Sequence, residues 1–144
     1  MEKSELREAM ILVDLARKRL LQPQFLNLGL TLGQGQPRIL NHLLRQEGLS
    51  QKELADLCYM DVTTLSRTLD HMERAGLLLR QRDPDCRRAF QIVLTDKGRR
   101  VAQQVREIFS SLDDRLLSAL APEEAELVTA ALKKIGAVLQ RELP

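Results

Sequence analysis

Apolar residues recur along this chain mostly at intervals of three and four, the spacing of amphipathic helices. From about Ser4 to Gln22, Leu6, Met10, Val13, Arg17 and Leu20 fall at helical spacing, with Ile11, Leu12 and Leu15 widening the apolar face. A face that wide exceeds what one small core covers, so burial on more than one side is expected. Pro23 is expected to end this helix, since an inner turn needs the donor that proline lacks. Gln24 to Gln36, with Gly29, Gly33 and Gly35, reads as a connector. Pro37 suits a first helical turn, and Ile39, Leu40, Leu43 and Leu44 form the next stripe before Gly48 closes it.

Ser50 followed by Glu53 is a capping box that opens a short helix to about Cys58. Asp61 is the expected N-cap of the following helix, which Gly76 ends. Leu77-Leu78-Leu79 and Phe90-Gln91-Ile92-Val93-Leu94 read as strands flanking a hairpin at Asp83-Pro84-Asp85. Thr95, then Asp96, caps a long helix through Val101, Val105, Ile108, Leu112, Leu116 and Ala119. Pro122-Glu123-Glu124 starts a last one, with Leu127, Val128, Ala131, Ile135 and Val138 as its apolar face. Two helices joined by a tight turn and followed by a β-hairpin make a winged helix-turn-helix, mainly α, with long helices at both ends.

At 144 residues the chain is most simply one domain, with a winged-helix lobe at about 35–98 flanked by helices at 1–30 and 100–144. Apolar residues are 44% and charged ones 29%, a globular composition. The net charge of +2 does not itself point to nucleic acid, but its distribution does. Leu77 to Arg100 holds seven Lys/Arg against three Asp/Glu, whereas Ala121 to Pro144 holds three against four. The positive charge gathers at the hairpin, where Arg80, Arg82, Arg87 and Arg88 form an electrostatic footprint. Charges at Asp14, Arg17 and Lys18 interrupt the first apolar stretch, so neither a signal peptide nor a membrane span is expected, and a cytoplasmic protein is.

On the helix opened by Asp61, Val62, Leu65, Leu69 and Met72 share one face, at about 100° per residue. Thr63, Arg67, Asp70 and Arg74 lie opposite, with Thr64 and His71 beside them and Ser66 on the flank. The N-terminal half of such a helix meets base edges, which selects Thr63, Thr64, Ser66 and Arg67. Arginine bonds two acceptors on a guanine edge, and threonine offers a methyl to thymine or a hydroxyl to phosphate. Asp70 would repel phosphate, so it is expected to pair with Arg67 or Arg74 at adjacent turns.

Leu49-Ser50-Gln51-Lys52-Glu53-Leu54-Ala55, then Thr64-Leu65-Ser66-Arg67 and Leu69-Asp70-His71-Met72-Glu73-Arg74-Ala75-Gly76-Leu77, resemble the helix-turn-helix of the MarR family of bacterial transcriptional regulators. The family's wing signature maps to Cys86, Arg88, Leu94, Thr95 and Gly98, and the resemblance covers nearly the whole chain. It implies a homodimer formed through the terminal helices, bound to double-stranded DNA at a pseudo-palindromic operator. It also implies a repressor released by a small organic effector or by thiol oxidation. The expected DNA-binding residues are Ser50, Gln51, Lys52, Thr63, Thr64, Ser66, Arg67, His71, Arg82, Arg87 and Arg88, with Arg88 in or near the minor groove. A twofold pair of such lobes reaches major grooves roughly one helical turn, about 10 bp, apart.

Cys86 stands where the family carries an aspartate that helps to hold the wing. Beside two arginines, Cys86 is either a thiol sensor or a tolerated surface residue; Cys58 is expected to pack as a small hydrophobe. Met10, Leu15, His42 and Phe109 either line an effector crevice or belong to the core. His42 and His71 have no partners at metal-ligand spacing, and the glycines at 29, 33 and 35 lack the context of a phosphate loop. No metal, cofactor or enzymatic activity is therefore expected. The rival readings are a redox regulator acting through Cys86 and a winged helix that docks another protein.

Overall fold

The computed structural model describes residues 1–31, 35–83 and 85–144, with the backbone alone at 83 and 86–89. Gly33 and Pro84 therefore lie outside the described residues, as do the side chains of Cys86, Arg87 and Arg88. In chain order the elements are α1 (Glu5–Leu26), α2 (Gln36–Arg45), β1 (Leu49–Ser50), α3 (Gln51–Cys58), α4 (Val62–Arg74), β2 (Leu78–Asp83), β3 (Cys86–Leu94), α5 (Asp96–Ser118) and α6 (Pro122–Arg141). They fall into two compact units, Met1–Ile108 and Phe109–Pro144, with α5 running from the first into the second.

The helix boundaries follow local chemistry. Ser50 Oγ accepts the Glu53 N–H at 3.1 Å while the Glu53 carboxylate accepts the Ser50 N–H, completing the capping box of α3. Asp61 caps α4, one carboxylate oxygen accepting the Thr64 N–H at 2.8 Å and the other the Thr64 hydroxyl at 2.7 Å. Gly76, at φ +78°, ends α4 in a Schellman turn, with its N–H donating to Glu73 and that of Leu77 to Met72. At the head of α6 the Glu124 carboxylate accepts the Ala121 N–H at 2.9 Å.

Pro23 does not end α1; the helix runs through it to Leu26. Leu21 and Phe25, on either side of it, are fully buried, and this burial outweighs the one hydrogen bond that proline forgoes. Gln24 adds a bond from its side-chain amide to the Leu20 carbonyl. Among the described residues of α1, Leu21 and Phe25 are buried, whereas Leu6, Ile11, Leu12, Val13 and Leu15 of the broad apolar face further up are exposed.

The core of the first unit gathers Leu21, Phe25 and Leu30 with Ile39, Leu40 and Leu43 of α2, Leu54 and Cys58 of α3, and Leu65, Leu69 and Met72 of α4. Leu49, Leu78, Ile92, Ala102 and Val105 pack with them. The sheet is antiparallel in the order β1-β3-β2, with Leu49 opposite Ile92. β1 has no signature in the sequence, since a two-residue strand leaves no alternation to read. β2 and β3 also reach further toward the hairpin than the apolar runs within them.

In α6 of the second unit no residue is buried, although Leu127, Val128, Leu132, Val138 and Leu139 lie along it.

Candidate nucleic-acid interface

The outer surface of α4 is set by what its inner surface buries. Leu65, Leu69 and Met72 pack inward as their spacing requires, and Thr68 joins them, its hydroxyl donating to the Thr64 carbonyl at 3.0 Å. Val62 corrects the expected stripe: it is 53% exposed, at the first turn of α4, while the buried face begins with Leu65. Thr63, Arg67 and His71 are exposed, and Thr64 and Ser66 are half-buried. Thr64, Arg67, Thr68 and His71 line one open depression along the helix. Thr64 has its hydroxyl proton committed to Asp61, which leaves that oxygen to act as an acceptor.

Ahead of α4, Ser50, Gln51 and Lys52 form the first turn of α3, with Lys52 exposed and the other two half-buried. A helix N-terminus with free N–H groups and a lysine suits a phosphate oxygen. Asp61 and Thr64 lock the start of α4, and the Thr64 N–H bond holds the Asp61 carboxyl below the ordinary aspartate range.

The ribbon presents graded chemistry along one face. Residues two apart on a strand point the same way, so Leu78, Arg80 and Arg82 align, opposite Leu94, Ile92 and Phe90 of β3. The first pair belongs to the core side, the second places an arginine over buried Ile92, and the third is exposed. The Arg82 guanidinium lies 5.9 Å from the centroid of the Phe90 ring, within cation–π range. A bulge between Arg82 and Asp83 then interrupts the pairing near the tip.

Arg80 departs from the expectation that it extends the basic hairpin. It turns to α4, with Nη1 2.6 Å from Asp70 and Nη2 2.9 Å from the Ser66 carbonyl. Asp70 accordingly pairs with Arg80 and not with Arg67 or Arg74, because the strand brings a guanidinium closer than an adjacent helical turn can. That bond holds the Asp70 carboxyl below its ordinary value. The signal in the sequence was the period of two, which put Arg80 between a core leucine and an exposed arginine.

The four residues named for an effector crevice divide between the units. Met10 and Leu15 are exposed on α1, His42 is half-buried on α2, and Phe109 opens the second unit. Burial, helped by Arg45 and Arg38, lowers the His42 pKa against a hydrogen bond with the Leu57 backbone. Cys58 is buried, and burial pushes its thiol up to about 11. No helix among the described residues is long and apolar enough to cross a membrane.

Residues 28–89 match the MarR family. The HTH-type transcriptional regulator BilQ of Clostridium symbiosum is 28% identical over 99 residues, which is 69% of this chain and 69% of that protein. The Staphylococcus aureus MepR–DNA complex shares the fold at a TM-score of 0.82 and 26% identity, covering 96% of this chain and 99% of that one. AbsC, a MarR family transcriptional regulator from Streptomyces coelicolor, gives 0.79 at 26% identity over 97% of each chain. With residues 28–89 matched by the family and the fold shared over nearly its whole length, the chain is similar to the MarR family of winged helix-turn-helix regulators.

Proposed function

We propose that this chain is a homodimeric, sequence-specific DNA-binding transcriptional regulator of the cytoplasm, acting as a repressor that a small ligand releases. The observation that carries this reading is the exposed Thr63, Arg67 and His71 surface of α4 beside a ribbon whose exposed end carries Arg82. In it, Thr63, Thr64, Ser66, Arg67 and His71 face base edges in the major groove. Ser50, Gln51 and Lys52 hold phosphates, and Arg82, Arg87 and Arg88 hold the backbone and the adjoining minor groove. The uncovered apolar residues of α1 and α6 support pairing of two copies through the helices at 1–30 and 100–144, around the lobe at 35–98.

Binding of the purified chain to duplex DNA selected from a random pool tests the reading. Salt-dependent affinity with protection of a two-fold-related pair of half-sites is expected. Retention independent of salt, or no preference over random duplex, would favour a surface that docks protein instead. Substituting Ser66 or Arg67 should erode discrimination between selected and random duplex more than it erodes non-specific binding.

A further inference from the structure

Arg80 is the arginine of β2 whose charge does not go to solvent. Its side chain is 21% exposed. Nη1 donates to Asp70 at 2.6 Å and to Glu73 at 3.4 Å, and Nη2 donates to the Ser66 carbonyl at 2.9 Å. Its Nε is buried with no hydrogen-bond partner among the described residues. We propose that Arg80 is a positioning residue for DNA binding, which fixes the ribbon against α4 and offsets carboxylate charge on that helix without touching the nucleic acid. The proposal rests on the DNA-binding function above.

The three acceptors span residues 66 to 73, two turns of α4, and converge on one planar guanidinium. A single bond would leave the helix free to swivel against the strand. Three bonds at separate points of the helix fix both its rotation and its distance. The placement of Thr63 and Arg67 relative to Arg82 is thus set by a residue that belongs to neither group. Both terminal nitrogens are engaged and the third is buried, so the guanidinium is poorly placed to reach a phosphate as well.

Charge acts independently of this clamp. Asp70 is about half exposed on the helix that carries Arg67 and Arg74, and an uncompensated carboxylate there repels a polyanion. Arg80 brings the cluster of Asp70, Glu73 and itself from two negative charges to one. Its hydrogen bond also keeps Asp70 ionised and therefore paired.

The test measures affinity of the full chain for its selected duplex across a salt series. Arg80→Met is expected to weaken binding at least tenfold, with a slope that falls less than in Arg82→Met, because it uncovers a screened carboxylate but loses no phosphate contact. Arg82→Met should lower the slope by about 0.9 for each phosphate that the side chain neutralises. Adding Asp70→Asn to Arg80→Met should recover part of the affinity. A slope that falls in Arg80→Met as it does in Arg82→Met, or a double variant no better than the single, would overturn the proposal. Should Arg80→Met not fold, Arg80→Lys retains charge beside Asp70 but releases the Ser66 carbonyl. A reduced affinity with unchanged slope then supports the role, and wild-type affinity refutes it. Without DNA, urea unfolding of Arg80→Lys, Asp70→Asn and their combination should show more than threefold coupling in the unfolding constant. Absent coupling overturns the clamp alone. A wild-type chain that binds no duplex, with coupling present, instead overturns the DNA-binding function and the positioning role with it.

Discussion

A side chain on Gly98 would place its Cβ 1.8 Å from the carbonyl oxygen of Leu77, so the first turn of α5 lies directly on the exit from α4. The residues between complete the joint. Thr95 donates its backbone N–H to Leu77 and its hydroxyl to the Gly76 carbonyl at 2.6 Å, while its Oγ1 accepts the Gly98 N–H at 3.0 Å. Lys97 Nζ closes the Ala75 carbonyl at 2.8 Å. The Leu94-Thr95-x-x-Gly98 pattern is therefore a splice, in which Thr95 and Lys97 satisfy the carbonyls of Ala75, Gly76 and Leu77 just past the end of α4.

Gly98→Ala should destabilise the chain by about 3 kcal/mol, the upper part of the usual overpacking range. The obstacle is backbone, which cannot rotate aside as a flexible side chain would. Urea unfolding should show a lower midpoint with an unchanged slope. A loss of only a few tenths would mean that α5 can back away from Leu77 freely.

The acid limb of stability follows from Asp61 and Asp70. Both carboxyls are held below the ordinary 3.8, Asp61 by the Thr64 N–H and hydroxyl, Asp70 by Arg80. The unfolded chain then binds more protons than the folded one just below that value, so stability rises with pH there. Their contribution is complete above 3.8 and is lost as pH falls through the depressed folded values. Urea midpoints taken from pH 6 downward should show this decline, and Asp70→Asn should make it shallower. Asp61→Asn keeps one capping oxygen for the Thr64 N–H but gives up the acceptor of the Thr64 hydroxyl, so it should lose the pH dependence together with part of the stability at neutral pH. An acid limb unchanged in both variants would assign the effect to other carboxylates.

What the sequence made legible was local. Ser50 with Glu53, Asp61 and Gly76 each mark a boundary with chemistry contained within a few residues, and the structure places α3 and α4 accordingly. The misses arose where distant parts meet. Pro23 is a helix breaker by itself but sits between Leu21 and Phe25, whose burial depends on the rest of the core. The partner of Asp70 comes from a strand ten residues on, and a helical wheel contains no strand. Val62 fitted the period of the buried stripe yet lies at its exposed end. Of the candidate DNA-facing set, the exposed α4 residues were readable from the helical period, whereas for Arg80 the strand period of two marked its position beside Leu78 but not its partners on α4.

Cys58 should resist thiol reagents while the chain is folded. It is fully buried, and a thiol near 11 is almost wholly protonated at neutral pH, so both access and the reactive thiolate are lacking. Alkylation at pH 8 followed by mass spectrometry of the peptide containing Cys58 should show labelling only at urea concentrations that unfold the protein. Modification in buffer at the rate of a free thiol would show local opening between α3 and the core.

The apolar residues of α6 lead to a prediction about assembly. Leu127 and Val138 are eleven residues apart, which returns them to nearly the same face at about 100° per residue. Both are exposed in the single chain, at 71% and 47%. Burying a leucine or valine contributes roughly 1.5–3 kcal/mol, and in a twofold dimer each position counts twice. Leu127→Asp with Val138→Asp should therefore shift sedimentation toward the 16.4 kDa protomer while leaving the melting curve of the first unit's core little changed. Lys133→Glu, on another side of α6, should leave the mass as it was. The monomeric variant should keep weak, salt-sensitive binding to one half-site and lose the tight binding that depends on two. A double variant that sediments as wild type would place the dimer contact on a different face, with α1 the next to test through Leu12, which is 69% exposed.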